Sequence, residues 1–323
     1  MDRITLRRYI VVTCIAIILL PKETYAQFDP QIGHYTFITN AYNPAAAGED
    51  DLMKVAGMYR LQYTGITNAP RTLYFMFSSP FVIGKTKHGA GVKFMNDTYG
   101  LFKSRAFEIQ YCYRHKIGKG YLSAGVDLGF VSLGFQGDSV NLEDLKSDYH
   151  QTDDPLIVNG EQNGMNFDLA LGLYYTTEKW FAGISYSHVT YPEIYWSEQS
   201  TVRIRGTMYV NGGYNWKLPT AKKWILKPSA LLMTDFSAWD LTLTALAEYN
   251  ERWRFGLNYR IRSSVGILLG MDIISGLQLG YTYEIPTNRL ITRTYGSHEV
   301  YLAYGFNILR PKRNNKYKSV RYL

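Results

Sequence analysis

The stretch RWRFGLNYRIR, Arg252–Arg262, alternates two kinds of residue without interruption. Trp253, Phe255, Leu257, Tyr259 and Ile261 fall on one side of an extended chain, and Arg252, Arg254, Gly256, Asn258, Arg260 and Arg262 fall on the other. Side chains change face at every residue of a strand, so the segment is a strand with one apolar and one cationic surface. In a soluble sheet the apolar face covers a protein core. In a membrane-crossing strand it meets lipid and the arginines point into a polar lumen.

The first residues favour export. Arg3, Arg7 and Arg8 precede an apolar run from Tyr9 to Leu20, and Thr24, Tyr25 and Ala26 follow before Gln27. That order is the signature of a secretory signal peptide, assigned here to residues 1–26. The competing reading, an N-terminal anchor, is disfavoured because the run is short for a membrane span. Cys14 lies inside the run and not at its end, which argues against a lipid-modified cysteine. Cleavage after Ala26 would leave Cys112 as the one cysteine, so no intramolecular disulfide is expected. The chain holds 28 Tyr and 28 Gly, yet no segment after the signal is apolar enough for a spanning helix. A lipid face can still be carried by strict alternation.

Alternating segments continue through the chain. A non-periodic lead, 27–51, precedes a first strand around MKVAGMYRLQYTG, in which Val55, Tyr59, Leu61 and Tyr63 oppose Arg60 and Gln62. About fourteen such segments follow one another to Ile308, including one from Val202 (VRIRGTMYVNGGYNW) and the last from Glu299 (EVYLAYGFNI). Each approaches the length of a tilted membrane-crossing strand. The expected fold is therefore all-β: a transmembrane antiparallel β-barrel of about fourteen strands over 52–308, with the lead inside the lumen. A soluble sandwich is the competing fold, but an even-stranded closed sheet removes the exposed edge that a bilayer forbids. Connection lengths support the barrel. The fifth, seventh and thirteenth connections are long, while the fourth, sixth, tenth and twelfth are tight turns. Long external loops and short periplasmic turns would place both chain ends in the periplasm. Trp180, Trp216, Trp224, Trp239 and Trp253 lie near strand ends, as an interfacial girdle requires.

The expected lumen face collects Arg60, Lys93, Glu108, Arg114, Asp127, Asp168, Arg203, Arg205, Arg252, Arg254, Arg260, Arg262, Asp272, Glu284 and Glu299. Two readings compete for its arginines: an anion path, or countercharges for a plug and neighbouring carboxylates. Asn43 and Pro44 should bend the lead, since proline lacks a backbone donor and pushes its predecessor out of the helical region. Glu49, Asp50 and Asp51 are expected to meet Arg60 and the cationic strands. Cys112 should be buried without a catalytic part. The fifth connection, from Gln136 to Gly164, carries seven acids without calcium-loop spacing and reads as a solvated loop. No nucleophile, metal or phosphate-binding pattern is present, so neither an enzyme, a cofactor nor a nucleic-acid partner is expected. After the last strand, 309–323 holds Arg310, Lys312, Arg313, Lys316, Lys318 and Arg321 and no acid. That basic tail suits either anionic headgroups of the outer-membrane lipid or a periplasmic protein partner.

Three short motifs carry a family resemblance. Asn43-Pro44-Ala45-Ala46-Ala47-Gly48 ends the lead, Tyr59-Arg60-Leu61-Gln62-Tyr63 lies in the first strand, and Ala69-Pro70-Arg71-Thr72 opens the second. Together with the ending GSHEVYLAYGFNI they resemble the PorP/SprF family of the type IX secretion system. The resemblance implies an outer-membrane barrel needed for export or surface attachment of particular secreted proteins, some members cooperating with gliding adhesins. Implied partners are the periplasmic ring, the peptidoglycan-binding proteins and secreted surface proteins. The Asn-Pro-Ala of the lead is also similar to a lumenal segment of fatty-acid-transporter barrels, which keeps a passive channel or hydrophobic-compound transporter as the alternative.

Overall fold

The computed structural model describes residues 29–136, 161–197 and 200–306. The signal segment, nearly all of the fifth connection and the basic tail from Arg310 to Arg321 lie outside the described residues. Seventeen strands are present among them: β1 (Met53–Leu61), β2 (Arg71–Ile83), β3 (Thr86–Tyr99), β4 (Phe102–Ile117), β5 (Gly120–Gln136), β6 (Glu161–Thr176), β7 (Trp180–Ser187), β8 (Glu193–Ser197), β9 (Ser200–Arg203), β10 (Thr207–Tyr214), β11 (Trp216–Lys217), β12 (Trp224–Thr234), β13 (Trp239–Tyr249), β14 (Trp253–Arg260), β15 (Ser264–Ile274), β16 (Leu277–Pro286) and β17 (Ser297–Phe306).

Each wall strand pairs antiparallel with its neighbours in sequence, and two further ladders complete the ring. β1 runs against β17 from Met53↔Phe306 to Leu61↔His298, and β10 runs against β12 from Met208↔Thr234 to Gly213↔Ser229. β11 continues the line of β10 along β12, while β8 and β9 form a separate hairpin. The result is a closed fourteen-stranded antiparallel barrel.

Alternation decides which side chain goes where. In β14, Trp253, Phe255, Leu257 and Tyr259 are exposed on the outer surface, while Arg254, Asn258 and Arg260 are buried inside. β4 repeats the pattern, with Phe107, Ile109, Tyr111 and Tyr113 outward and Glu108, Gln110, Cys112 and Arg114 buried. An apolar outside with a polar inside is the arrangement a bilayer imposes on a barrel. Trp180, Trp216, Trp224 and Trp253 begin strands at one end of the barrel and Trp239 begins one at the other.

The two ends differ. At the tight-turn end, hairpins close through glycines in the left-handed region, such as Gly118 (φ 59°) and Gly276 (φ 88°). The opposite, long-loop end is partly covered by the β8–β9 hairpin. There Ile194 and Ile204 are buried, and Trp196 donates its indole N–H to the Leu133 carbonyl at 2.8 Å while stacking on Phe102 and Phe135.

This hairpin corrects the sequence reading of the eighth wall strand, which begins at Thr207 and not at Val202. Alternation continues through Val202–Arg205, but Val202 and Arg203 pair with β8 above the barrel, and Ile204 and Arg205 lie in no strand. Arg203 is exposed and bonds Glu193 through Nε at 2.9 Å; Arg205 is exposed and donates to Ser237 Oγ at 3.0 Å. Neither is lumenal. Arg252 and Arg262 also leave the lumen: both are exposed in the turns flanking β14, where the strand phase ends.

Candidate functional site: the plugged lumen

The lead enters the lumen and crosses it from end to end. Asp29 sits at the long-loop end, where its carboxylate meets His188, just past β7, and accepts from the Tyr209 hydroxyl of β10 at 2.5 Å. Asp51, at the other extreme of the lead, meets Lys87 beside the tight β2–β3 turn at 3.1 Å. The chain then enters β1 at the tight-turn end, where β17 also finishes. Asp29, the first described residue, stands at the opposite mouth.

Irregular backbone inside a barrel has no ladder to satisfy its N–H and C=O groups, and unpaired polar groups are costly once buried. The wall supplies the partners. Glu299 accepts both the Gly33 N–H at 2.8 Å and the His34 N–H at 2.7 Å. Lys54 donates to the Phe37 carbonyl, Gln110 to that of Asn40, Lys93 to that of Ala41 and Ser185 to that of Tyr42, all within 3.1 Å. The Cys112 thiol donates to the Ala45 carbonyl at 3.1 Å, and Arg114 donates to the carbonyls of Gly48 and Glu49 at 2.7 and 3.0 Å. Much of the polar lumen thus exists to dissolve the backbone of the plug.

The motif Asn43–Gly48 forms the tightest part. Asn43 is extended (φ −134°, ψ 107°), and Pro44–Ala46 make a single 3-10 turn. The Asn43 Oδ1 accepts from the Ala45 N–H at 3.0 Å, and its Nδ2 donates to the carbonyls of Leu173 and Ile184 at 3.2 and 3.5 Å. Gly48 ends the motif with φ 66° against Gly89. The turn sits in a socket made by missing side chains. A Cβ on Gly125 would overlap the backbone of Pro44 and Ala45, one on Gly89 the Ala47 carbonyl, and one on Gly172 the Asn43 side chain. Sequence reasoning missed these wall glycines. The available signal was glycine in the inward phase of β3, β5 and β6, where a polar residue would otherwise be expected.

The remaining charges pair with one another. Arg60 bonds Glu284 at 2.7 Å and Glu299 at 3.2 Å, while Arg260 reaches Glu284 at 3.1 Å and Asp240 at 3.4 Å. Arg254 lies between Glu248 and Asp272, at 3.1 and 2.7 Å, and Lys93 pairs with Glu108 and Asp127. Of the eight arginines expected to line the lumen, Arg60, Arg114, Arg254 and Arg260 do so, Arg114 held by plug carbonyls and the other three by carboxylates; this is the countercharge arrangement and not an anion path. The Glu49–Asp51 stretch is not near Arg60 but meets Arg114, Lys54 and Lys87, because Arg60 lies toward the far end of β1. Cys112 is fully buried.

One cluster fastens the start of the lead. His188 stands between Asp168 (2.6 Å from Nδ1) and Asp29 (2.9 Å from Nε2). Burial alone would lower the His188 pKa, but Asp29 and Asp168 hold it well above the ordinary value. Burial alone would raise that of Asp29, but the His188 charge and the hydrogen bonds from His188 and Tyr209 bring it down to about 2.

Among solved structures, the chain is similar to the outer membrane protein Omp33 of Acinetobacter baumannii (7% identity, 80% of this chain and 100% of that one, TM-score 0.48). It is also similar to a monoaromatic hydrocarbon channel, the TodX deltaS2S3 mutant (10% identity, 86% and 95%, TM-score 0.49). A third likeness is to the translocator domain of the autotransporter NalP from Neisseria meningitidis (12% identity, 79% and 88%, TM-score 0.42). No curated protein matches the sequence. The family described as type IX secretion system membrane protein PorP/SprF matches residues 24–304, spanning the lead and all of the wall but the last two residues of β17. The chain belongs to the PorP/SprF family of type IX secretion system membrane proteins.

Proposed function

We propose that this outer-membrane barrel is a docking and anchoring component of type IX secretion and not the conduit for secreted proteins. The observation that carries the reading is the filled lumen. Residues of the lead contact β1, β3, β4, β6, β7, β12, β14, β16 and β17, and those from Ala41 to Gly48 are all buried. A folded polypeptide has no room beside them. In this reading the tight-turn end faces the periplasm, and the basic tail, Arg310, Lys312, Arg313, Lys316, Lys318 and Arg321, reaches an acidic surface of the periplasmic ring or a peptidoglycan-binding protein. Such attraction acts over about 8 Å at physiological salt. Secreted surface proteins, gliding adhesins among them, are then held at the long-loop end.

Deletion of residues 309–323, with barrel levels in the outer membrane verified, should reduce both copurification of periplasmic partners and secretion. Unchanged values for both would assign the tail to lipid headgroups and end the docking role. Conductance of the purified barrel in planar bilayers tests the passive-channel alternative: stable open channels in the wild type would favour it.

A further inference from the structure

A cavity of about 400 Å³ opens at the long-loop end, between residues 29–31 of the lead and the ends of β1, β2, β3 and β13. Three carboxylates border it, and two are already compensated. Asp29 is held by His188, and Asp240 accepts from Gln31 at 2.8 Å and faces Arg260. Asp97 differs. It is 4% exposed, and its Oδ1 accepts from the Thr72 hydroxyl at 2.6 Å. Among the described residues its other oxygen has no hydrogen-bond partner and the carboxylate makes no salt bridge; the Arg60 charge that reaches it from beyond contact is already held by Glu284 and Glu299. Two positions along β3, the Tyr99 hydroxyl is buried on the same cavity and also lacks a partner. A buried carboxylate without a countercharge is costly, so the site is left incomplete by the protein's own groups.

We propose that this cavity binds a basic side chain, a guanidinium or ammonium group borne on a polypeptide. Asp97 supplies the charge. Trp239 and Tyr99 also line the cavity, and aromatic side chains beside a carboxylate suit an organic cation. A metal ion is a poorer match, because the described residues contain no group of three or more ligating side chains, whereas aromatic walls suit a delocalised charge on a carbon chain. A cavity of this size takes the end of one long side chain with its solvent while the peptide stays at the mouth. The inference concerns the cavity's chemistry and does not depend on which side of the membrane it faces.

The test is calorimetric titration of the purified full-length mature barrel, in detergent, with acetyl-Gly-Arg-Gly-amide and with the isosteric citrulline peptide, which lacks the charge. The arginine peptide should bind saturably at one site, at least tenfold more tightly than the citrulline peptide, and more weakly as salt is raised. Asp97→Asn, which keeps an acceptor for Thr72, should lose at least tenfold in affinity for the arginine peptide. Heat-modifiable electrophoretic mobility reports whether that variant is folded, and the two-peptide comparison on the wild type needs no variant. Absence of saturation, equal affinity for the two peptides, or undiminished binding by folded Asp97→Asn would each overturn the proposal; equal affinity is the result expected if a proton alone neutralises Asp97.

Discussion

Arg60 of β1 and Glu284 of β16 meet at 2.7 Å across the intervening strand β17, whose Glu299 takes the second Arg60 nitrogen at 3.2 Å. All three side chains are buried. Removing Arg60 takes one cation from each carboxylate but leaves Arg260 on Glu284 and the Gly33 and His34 hydrogen bonds on Glu299, so the cost is a part of the about 3–5 kcal/mol of breaking a buried pair. Arg60→Ala should therefore lower the urea midpoint of the barrel and free the Gly33–His34 segment through Glu299. Urea titration followed by electrophoretic mobility measures it, and a midpoint equal to wild type would show the pair to be dispensable.

Asn43→Ala should loosen the plug while sparing the wall. The substitution removes one acceptor at the Ala45 N–H and one donor shared by two wall carbonyls. At about 1 kcal/mol for each ordinary hydrogen bond, seating should weaken by about 1–2 kcal/mol. Hydrogen exchange of residues 40–48 should rise severalfold in a barrel of unchanged mobility.

Gly125→Val is a harsher probe of the same socket. Its side chain would occupy the space of Pro44 and Ala45, so the lead cannot seat in its present path. Protease should cut between residues 29 and 51 in the variant and not in the wild type. Resistance equal to wild type in a folded variant would contradict the socket.

The His188 latch predicts a pH dependence with a defined sign. Asp29, Asp168 and Tyr209 are the ionisable groups around His188. Its raised folded value means that its contribution is fully present below 6.5 and is lost as pH rises above 6.5 through the raised folded value. Asp29, lowered from 3.8 to about 2, contributes above 3.8 and loses its contribution as pH falls through about 2. The start of the lead should be tightest from about pH 4 to 6.5 and loosen in alkali, where two carboxylates would face a neutral ring. Exchange at residues 29–34, corrected for the intrinsic rate, should show this alkaline rise in wild type, and His188→Gln should abolish it.

Cys112 is sealed under the plug, with its thiol donating to the Ala45 carbonyl. A thiol reagent should label it only after denaturation. Cys112→Ser keeps a donor for that carbonyl and should leave secretion intact; a large secretion defect in a correctly inserted variant would give the residue a role beyond packing.

Alternation made the wall legible because a bilayer outside and a polar lumen inside impose opposite chemistry on adjacent residues. The same regularity misled at Val202–Arg205, where a hairpin above the barrel keeps the period but not the environment. Strand phase alone points Arg60 inward. Its partners were not legible, because Glu284 lies two strands away and the register between them is a property of the closed ring. The glycine socket was hidden for another reason: a glycine facing inward adds no polar signal, and its meaning comes from the backbone that approaches it. Nor did any local pattern in the lead show that it would travel the full height of the lumen.

That path has a consequence for biogenesis. Glu299, which grips Gly33 and His34, belongs to β17, so a segment that precedes every wall strand is clasped by the wall strand synthesised after all the others. A β1–β17 seam that zips shut last would enclose the lead by wrapping and spare it from being fed end-on through a finished ring, at the expense of an open sheet that must be held until its own beginning is in place.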